Sequence, residues 1–580
     1  MKNKLSYIIA GLALLFFSCS DDGEEQKEEE PGFGTLEVIA IYEGGITVPD
    51  VVITTIPETT ERITDDTGKA VFSNIPVGNY QIVLVPPFSD VDVTVSVEVE
   101  KDQADTIEVI VGPEPISEEP VDIDLLLDSI YGQLKSEFLF DANGYSHYWG
   151  DIGTGMVRIN PTSMGRFGDL DNYIFNLGDY VIGEVWSEHY RVIRLTNIGL
   201  DALSDSDFIA ESNADPIVLE SEIRFLRAIL YFNLVKLYGN PILVTTAKID
   251  IDNPPTHVQG RVAVYDQIIE DLKFAQQNLA SSLSNEKASL EAATALLGKV
   301  YLTMAGFPLA QSDKYGLALQ ELEKLTESYT LEDDYADIFA VENENLNTEV
   351  IFKIGYNGSG NYGVPWGPVG ISFNDRFLLV EEFIDSFFEE GSEPSEPVIF
   401  PVSTDDTRFY QNIATFSYQS GQSVNETSRN DWRPYKFIKD IVGPSVANEE
   451  SFDYPYLRMA DVYLMIAEAE NAINGPTTKA QNALNLVRRR AFKDLNHDVQ
   501  PELSQEAFFN VILEERRLEF CFEGQFKDDL IRMNALEAEI LNYNQNYPGL
   551  AKDLQSHEYI WPIPQSEMIL NPNVDQNEGY

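Results

Sequence analysis

Hydrophobic and polar positions follow two different periods along this chain of 580 residues. Between residues 35 and 111 they alternate every second residue, in runs such as TLEVIAIY, VVITTI, YQIVLV and VTVSVEVE. Turn sequences such as DDTGK and PVGN separate these runs. Alternation with β-branched residues between turns is typical of half-buried strands. The pattern therefore predicts a small all-β sandwich, which we assign to residues 33–112.

From residue 121 onward the period becomes helical. One apolar stripe runs through LESEIRFLRAILYFNLVKLYG, at Ile223, Leu226, Leu230, Leu234 and Leu237. The same spacing recurs in RVAVYDQIIEDLKFAQQNL, SLEAATALLGKVYLTMAG, LRMADVYLMIAEAENAI, AQNALNLVRRRAF and QEAFFNVILEERRLEF. Helix pairs with small residues at their contacts are typical of tetratricopeptide-like packing, although no strict 34-residue repeat is present. We predict a mainly α fold, a tetratricopeptide-like helix-pair scaffold preceded by the all-β sandwich.

Residues 350–450 interrupt the helical pattern. They are rich in Gly, Pro, Ser and aromatic residues, as in KIGYNGSGNYGVPWGPVGISFNDRF. Long irregular segments of compact domains are usually functional or disordered, and this one holds many aromatic residues. It predicts a loop-rich ligand-binding region.

The N-terminus predicts an export signal. An apolar run from Leu5 to Phe17 follows two lysines and is too short to span a bilayer. The run ends at Ser18 and Cys19, and seven acids follow between residues 21 and 30. This resembles a bacterial lipoprotein signal, with lipidation at Cys19 after removal of residues 1–18. Residues 19–32 would form an acidic flexible leash, and the Pro- and Glu-rich residues 113–120 a linker.

Composition excludes several classes of function. The formal charge of −57 opposes nucleic-acid binding, which needs clustered Lys and Arg. Two cysteines and five histidines argue against a zinc-type constellation, and we predict no metal and no cofactor. Cys521, within the apolar run LEFCFEG, predicts a buried thiol rather than a nucleophile.

Four stretches of the chain resemble the SusD/RagB family of surface lipoproteins. They are EIRFLRAILYFNLVKLYGNPILVT, YPYLRMADVYLMIAEAEN, ILEERRLEFCFEGQFKDDLIRM and YIWPIPQSEMILNPNVDQNEGY. The resemblance covers residues 121–580. It implies an outer-membrane, lipid-anchored protein facing the cell exterior that captures nutrients for a TonB-dependent transporter of the SusC type. The β segment in turn resembles carboxypeptidase regulatory-like, Ig-like surface modules.

Charged residues of the third stretch predict structure rather than catalysis. We expect an ion-pair network that pins packed helices, and no catalytic residue. A glycosidase would instead need a carboxylate pair at a defined separation, with one raised pKa. The predicted network comprises Glu515, Arg516, Glu519, Glu523, Asp529 and Arg532.

The leading interpretation is a non-enzymatic protein that binds oligo- or polysaccharide and delivers it to the transporter. Three alternatives remain open at this point. The protein is a surface-anchored polysaccharide hydrolase, a binder of another nutrient such as peptide, or a pure assembly scaffold. Loop aromatics separate a binder from a scaffold, because a scaffold does not need them.

Tryptophans in loop-like segments are the candidate ligand contacts. A large ring on a surface loop loses its burial energy unless something covers it, and sugar faces can do so. We predict stacking at Trp366 with Tyr362, then at Trp149 with Tyr148, with Trp432 as a further candidate. The alternative is that these rings pack onto the scaffold beneath them.

Overall fold

The structure is a computed structural model. It describes residues 32–580 apart from 43–46, 50, 58, 66, 86–92, 102, 113–120, 137, 141–148, 161–164, 205–213, 249–253, 258–259, 283–284, 341–346, 356–376, 420–421 and 438–452. The chain divides into two compact units, residues 1–115 and 116–580. The predicted signal peptide, Cys19, nearly all of the leash and the linker lie outside the described residues.

The first unit consists of two small sheets. Its strands are β1 (Phe33–Ile41), β2 (Val52–Ile56), β3 (Arg62–Ile63), β4 (Lys69–Pro76), β5 (Gly78–Val85), β6 (Val93–Val99) and β7 (Ala104–Ile110). One sheet has the order β4-β1-β7, with β1 and β7 parallel, and the other has the order β3-β2-β5-β6.

Alternating residues of both sheets form one core. Leu36 and Val38 from β1, Ile53 from β2, and Ile82 and Leu84 from β5 are fully buried in it. The period-two pattern therefore predicted these strands correctly. The resemblance of this unit to carboxypeptidase regulatory-like modules stays a prediction.

The second unit is built mainly from helices. They are α1 (Ile123–Gln133), α2 (Gly165–Asp171), α3 (Tyr180–Leu203), α4 (Pro216–Tyr238), α5 (Gly260–Asn278), α6 (Leu290–Ala305), α7 (Lys314–Leu322), α8 (Glu381–Asp385), α9 (Arg408–Asn412), α10 (Met459–Asn474), α11 (Thr478–Phe492), α12 (Gln505–Phe520), α13 (Phe526–Arg532), α14 (Leu536–Asn546) and α15 (Gln565–Leu570).

Successive long helices pack against one another. Helix α3 contacts α4, α4 contacts α5, α5 contacts α6, α6 contacts α7, and α7 contacts α10. Helix α10 also contacts α11 and α12. Between α10 and α11, Gly475 has φ of +78°, a conformation that favours glycine. The chain can therefore reverse within three residues. The predicted mainly α, helix-pair scaffold is confirmed.

Helix α4 lies at the centre of this scaffold. Its N-cap is Asp215, whose Oδ1 accepts a hydrogen bond from Ile217 N at 3.0 Å, and Pro216 occupies the first turn. Sixteen of its 23 residues are buried, including the whole predicted stripe. Burial on more than one face indicates an interior helix.

In the described part of the interval between residues 350 and 458, the chain forms short helices and short strands. Together with an earlier strand they form two-stranded pairs: β8 (Val157–Ile159) with β10 (Phe377–Leu379), β9 (Val350–Ile354) with β15 (Tyr454–Arg458), β11 (Ile413–Ala414) with β14 (Arg433–Pro434), and β12 (Phe416–Gln419) with β13 (Gln422–Asn425). None of the helices in the described part of the chain combines the length and apolar character that crossing a membrane requires.

Candidate functional site

The four stretches that carry the family resemblance meet at one cavity of the second unit. The cavity encloses a volume of about 80 Å³, and about 960 Å³ when the open solvent at its mouth is included. Seven aromatic residues contribute to its wall: Phe140, Phe232, Tyr265, Phe307, Tyr454, Tyr456 and Tyr559.

Ion pairs line the inner part of the cavity. Lys236 Nζ of α4 is paired with Asp528 of α13. Lys299 Nζ of α6 lies 2.9 Å from Oδ2 of Asp461 and 2.6 Å from Oε1 of Gln525. Burial lowers the pKa of Lys299, although Asp461 opposes that shift. These cations are therefore already neutralised by the protein.

The mouth of the cavity is aromatic. Phe307 and Tyr559 meet edge to face, with ring centroids 5.1 Å apart, and 37% of Phe307 is exposed. The Arg261 guanidinium lies 5.9 Å from the Tyr559 ring centroid. Aromatic faces beside polar groups are what a sugar ring needs, because its C–H face stacks while its hydroxyls form hydrogen bonds.

The loop that carries Phe307 is fixed to the end of α13. Phe307 N donates to Arg532 O at 2.8 Å. A Cβ on the preceding Gly306 would lie 2.2 Å from that carbonyl oxygen, so the close approach requires glycine. The wall at Phe307 is thus preorganised.

Trp149 is a core residue, which corrects its prediction as a stacking platform. Only 1% of it is exposed. Its ring meets Trp561 at 5.3 Å between centroids, and Lys527 Nζ lies 3.3 Å from its ring centroid. Trp561 is distant in sequence, and it packs against the Trp149 ring that the local sequence had predicted to be exposed.

Trp432 is also buried, with no exposed surface, and its prediction is corrected for the same reason. Nε1 of Trp432 donates to Glu426 O at 3.3 Å, and its ring meets Phe409 edge to face. Trp366, Tyr362 and Tyr148 lie outside the described residues, and their role stays a prediction.

Sequence reasoning missed Phe307, Tyr559 and Arg261. Phe307 sits in the sequence AGFP, where Gly and Pro mark a turn after α6. That signal places the ring on the surface. It does not reveal the partner, because Tyr559 and Arg261 reach the same mouth only through the tertiary fold.

The predicted ion-pair network is present and buried. Arg458 Nη1 lies 2.5 Å from Glu519 Oε1, and its Nη2 lies 2.7 Å from Glu523 Oε1. Arg516 bridges Asp461 and Asp529, with both distances 2.8 Å. Further members are Glu349, Asp406, Arg408, Lys436, Glu468, Arg490, Glu515 and Arg532. These groups hold elements together, and Asp529 and Arg532 also line the cavity.

One carboxyl of the interior has a raised pKa. Burial raises the pKa of Asp151 to about 8, despite the 2.8 Å hydrogen bond that its Oδ2 accepts from Gly524 N. Asp151 is fully buried and does not line the cavity. A raised pKa alone does not make it a general acid, because a substrate must reach it.

Cys521 behaves as predicted. It is fully buried, and its Sγ lies 3.5 Å from Leu518 O. Burial raises the pKa of its thiol to about 12. A thiol that stays protonated is a poor nucleophile, so Cys521 is a packing residue.

Among the described residues, one group has donor atoms placed for a cation. Glu389, Asp405 and His497 each bring a ligand atom within 4.8 Å of the others. His497 Nδ1 lies 2.9 Å from Asp494 Oδ1. Both carboxylates of the group are exposed, and the chain contains 96 acidic residues. We assign no metal to this group.

Two family models match the second unit. The model described as "SusD family" matches residues 299–580, and the model described as "Starch-binding associating with outer membrane" matches residues 114–302. The chain belongs to the SusD/RagB family. The matches together span the helical scaffold and all four stretches around the cavity.

Several members of the SusD/RagB family are similar over most of their length. SusD-like protein P25 of Formosa agariphila is 25% identical over 514 residues, which cover 81% of this chain and 94% of that protein. The starch-binding protein SusD of Bacteroides thetaiotaomicron is 25% identical over 478 residues, covering 68% of this chain and 82% of that protein.

Solved structures of SusD homologues share the fold. One from Bacteroides thetaiotaomicron has a TM-score of 0.66 and 23% identity, covering 79% of this chain and 96% of its own. A laminarin-binding SusD-like protein has a TM-score of 0.62 and 22% identity, covering 80% and 100%. At this identity the likeness establishes the fold alone.

Proposed function

We propose that this SusD/RagB protein binds glycans at the cell surface and passes them to a TonB-dependent transporter of the SusC type. The observation that carries the proposal is the aromatic-mouthed cavity. It joins the Phe307–Tyr559 pair, of which Phe307 is exposed, to charged and amide side chains of the same cavity. Relatives named as starch-binding and laminarin-binding support the same class of ligand.

The proposed location is the outer membrane, with the protein facing the exterior. The support is the description of the matched family model, together with the lipoprotein-like sequence ending at Cys19. A lipid on Cys19 would supply the anchor. Two or more acyl chains are needed for stable anchoring, because one chain holds only marginally.

We propose that the protein binds its ligand and does not act on it as an enzyme. Asp528 and Asp529, the carboxylates that line the cavity, are both engaged in ion pairs. Asp151, with its raised pKa, is enclosed in the interior. A glycosidase needs two carboxylates free to act on either side of a glycosidic bond.

Binding and product analysis together test this proposal. The purified protein is titrated against a panel of polysaccharides by affinity electrophoresis and calorimetry, and each mixture is then assayed for released sugars. We expect binding without shortening of the polymer. Release of short products would identify a surface hydrolase instead, and binding of peptides alone would identify a peptide-capturing protein.

Two variants locate the site. Phe307→Ala removes a ring from the cavity mouth, and Trp366→Ala removes the platform predicted from sequence. Loss of one stacking ring costs about 1–3 kcal/mol of binding free energy, by analogy with bases on aromatic rings. If a variant folds normally and binds glycan as tightly as wild type, the ring that it lacks does not belong to the binding site.

The transporter partner is tested by co-purification. Extraction in mild detergents followed by affinity capture of this protein should recover a large outer-membrane transporter. Cys19→Ala provides the control, because it removes the proposed anchor. Recovery of the lipoprotein alone across several detergents would contradict a stable complex.

A further inference from the structure

The main cavity has more positive than negative side chains in its wall. Charged residues of the described chain line it, two carboxylates and four cations: Asp528, Asp529, Lys236, Arg261, Lys299 and Arg532. The whole chain has the opposite balance, with 96 acidic and 39 basic residues. The surplus of cations is therefore a local feature of this wall and does not follow from composition.

Three of the four cations are paired with carboxylates of the fold. Lys236 and Lys299 have the partners described above. Arg532 Nη2 lies 2.8 Å from Asp529 Oδ1, and its Nη1 bonds Glu468. These three charges are compensated inside the protein, so they attract an added anion only weakly.

Arg261 is the exception. Its side chain is half-buried, and it forms no ion pair with any carboxylate of the described residues. Its Nε donates to Gly239 O at 3.0 Å, and its backbone N donates to Asn240 Oδ1 at 3.2 Å. Both acceptors are neutral. Within the part of the chain that the structure describes, the positive charge of Arg261 is therefore uncompensated.

The guanidinium of Arg261 is nevertheless held in place. A Cβ on Gly239 would lie 2.4 Å from Nη2, so the absence of a side chain there makes room for the guanidinium. Gly239 has φ of +73°, a conformation that favours glycine. The Nε hydrogen bond and the Tyr559 ring fix the group, while its Nη atoms have no hydrogen bond to a described residue.

Neutral donors line the cavity together with Arg261. Tyr265 lies one turn further along α5, and Tyr456 is part of the same wall. Burial raises the pKa of both phenols, although Arg261 opposes the shift at Tyr265. Both phenols therefore stay protonated at neutral pH and can donate. A carboxylate, which only accepts hydrogen bonds, complements such a set of donors.

We propose that the main cavity takes the carboxylate of an acidic sugar unit and that Arg261 pairs with it. This inference rests on the proposed function, because it specifies which class of glycan the protein binds. The enclosed volume of about 80 Å³ suits one small charged group, with the rest of the glycan outside. Arginine can bind a carboxylate through two parallel N–H bonds, which fixes the orientation of the ligand as well as compensating its charge.

The net negative charge of the chain does not prevent such a contact. At physiological ionic strength, exposed charges more than about 8 Å apart are largely screened, whereas an ion pair in the cavity forms at contact. Recognition therefore depends on pairing at one sugar unit and not on attraction of a whole polyanion.

The first test titrates the purified protein with acidic glycans and with their carboxyl-reduced forms, which keep the linkages and lose the charge. The acidic probes are polygalacturonate, alginate and glucuronoxylan, and starch and carrageenan are the neutral and sulfated references. We expect at least one acidic probe to bind with a Kd lower by about 10-fold or more than that of its reduced form.

The second test removes the charge of Arg261. Arg261→Gln keeps an amide donor but cannot pair with a carboxylate, so it should raise the Kd for the acidic probe by about 10- to 100-fold. It should leave the Kd for the reduced probe unchanged. Arg261→Lys keeps the charge without the planar fork, and its Kd for the acidic probe should lie between those of wild type and Arg261→Gln.

Arg191→Gln is the matched control. It removes the same charge from a half-buried residue of α3 that does not line the cavity, and it should bind as wild type. Thermal melts of all variants separate loss of binding from loss of folding. If Arg261→Gln does not fold, the ratio of the two wild-type Kd values still decides.

The results distinguish failure of this inference from failure of the proposed function. Equal loss of the acidic and reduced probes in Arg261→Gln would make Arg261 a structural residue and overturn its pairing with a ligand carboxylate. Binding of neutral or sulfated glycans alone would overturn the carboxylate ligand and leave the proposed function standing. Failure of every glycan to bind, with or without binding of peptides, would overturn the proposed function and this inference with it.

Discussion

Glu519 lies at the centre of the buried charges. Its side chain accepts hydrogen bonds from three arginines, Arg408, Arg458 and Arg490. Burial alone would raise the pKa of Glu519, but the guanidiniums lower it below its ordinary value. The carboxylate is therefore charged at neutral pH and compensates several cations at once.

Neutralising Glu519 should destabilise the second unit strongly. Removing one partner from a buried ion pair leaves the other charge uncompensated, so we expect Glu519→Gln to lower the free energy of unfolding by about 3–5 kcal/mol. Urea denaturation measures this loss. The control Glu390→Gln changes an exposed residue and should alter stability by about 0.5 kcal/mol or less. Equal effects of the two variants would contradict the network's role.

Asp151 should make the free energy of unfolding fall as pH rises, whereas an acid in an ion pair makes it rise. Its pKa in the fold is about 8, against about 3.9 in the unfolded chain. The charged groups facing it are Lys436, Glu523 and Lys527. A raised pKa favours the fold below the unfolded value, and that contribution is lost as pH rises from 4 to 8.

Asp151→Asn tests this sign. The amide is neutral at every pH and can keep the hydrogen bond from Gly524. We expect the variant to gain stability relative to wild type as pH rises from about 4 to 8, measured by thermal melts across that range. A difference that does not change with pH would show that Asp151 is charged in the fold.

Helices α6 and α7 approach each other closely at Gly298 of α6, which has no side chain. A Cβ at Gly298 would lie 2.6 Å from Leu322 Cδ2, and Leu322 is fully buried. Such overpacking typically costs about 1–3 kcal/mol. Gly316, within α7, is exposed and has open space around its Cβ position.

The two glycines should respond oppositely to the same change. Gly298→Ala should destabilise the protein, because the clash outweighs the gain of about 1 kcal/mol in helix propensity. Gly316→Ala should stabilise it by up to about 1 kcal/mol. Chemical denaturation of both variants measures this, and stabilisation by Gly298→Ala would show that the helices can move apart.

Helices with a clear apolar stripe were predictable from the sequence. Contacts between elements distant in the sequence were not. The apolar stripe of α4, from Ile223 to Leu237, identified the helix because each position is set by its local neighbours. Trp149 and Trp432 were assigned to loop-like segments from the sequence pattern, but Trp149 lies at a helix end and the burial of both rings depends on residues elsewhere. Trp561 covers Trp149, and local sequence carries no record of that contact.

The cavity shows the same limit at larger scale. Its described wall combines residues of the four stretches, whereas the sequence pattern had placed the ligand-binding region at residues 350–450. The pairing of Phe307 with Tyr559 did not follow from the sequence either, because a turn signal such as AGFP fixes exposure without fixing a partner. The buried ion pairs were predictable because Glu and Arg at helical spacing within apolar runs need partners.

At the scale of the whole molecule, the N-terminus should decide where the protein resides. We expect Cys19→Ala to release the protein from membranes or to leave an uncut precursor, because the thiol is the proposed lipid acceptor. Membrane fractionation and the mass of the mature chain measure this. Ser20→Ala keeps the cysteine and serves as control. Normal processing and membrane retention of Cys19→Ala would contradict lipid anchoring.

The buried ion pairs also determine when, during synthesis of the chain, the interior of the helical unit can be completed. Arg408 bonds Glu515, 107 positions later, and Arg458 bonds Glu349, 109 positions earlier. Until residue 523 has been made, several arginines lack the carboxylates that permit their burial. The helical unit therefore cannot complete its interior while its last segments are still being translated.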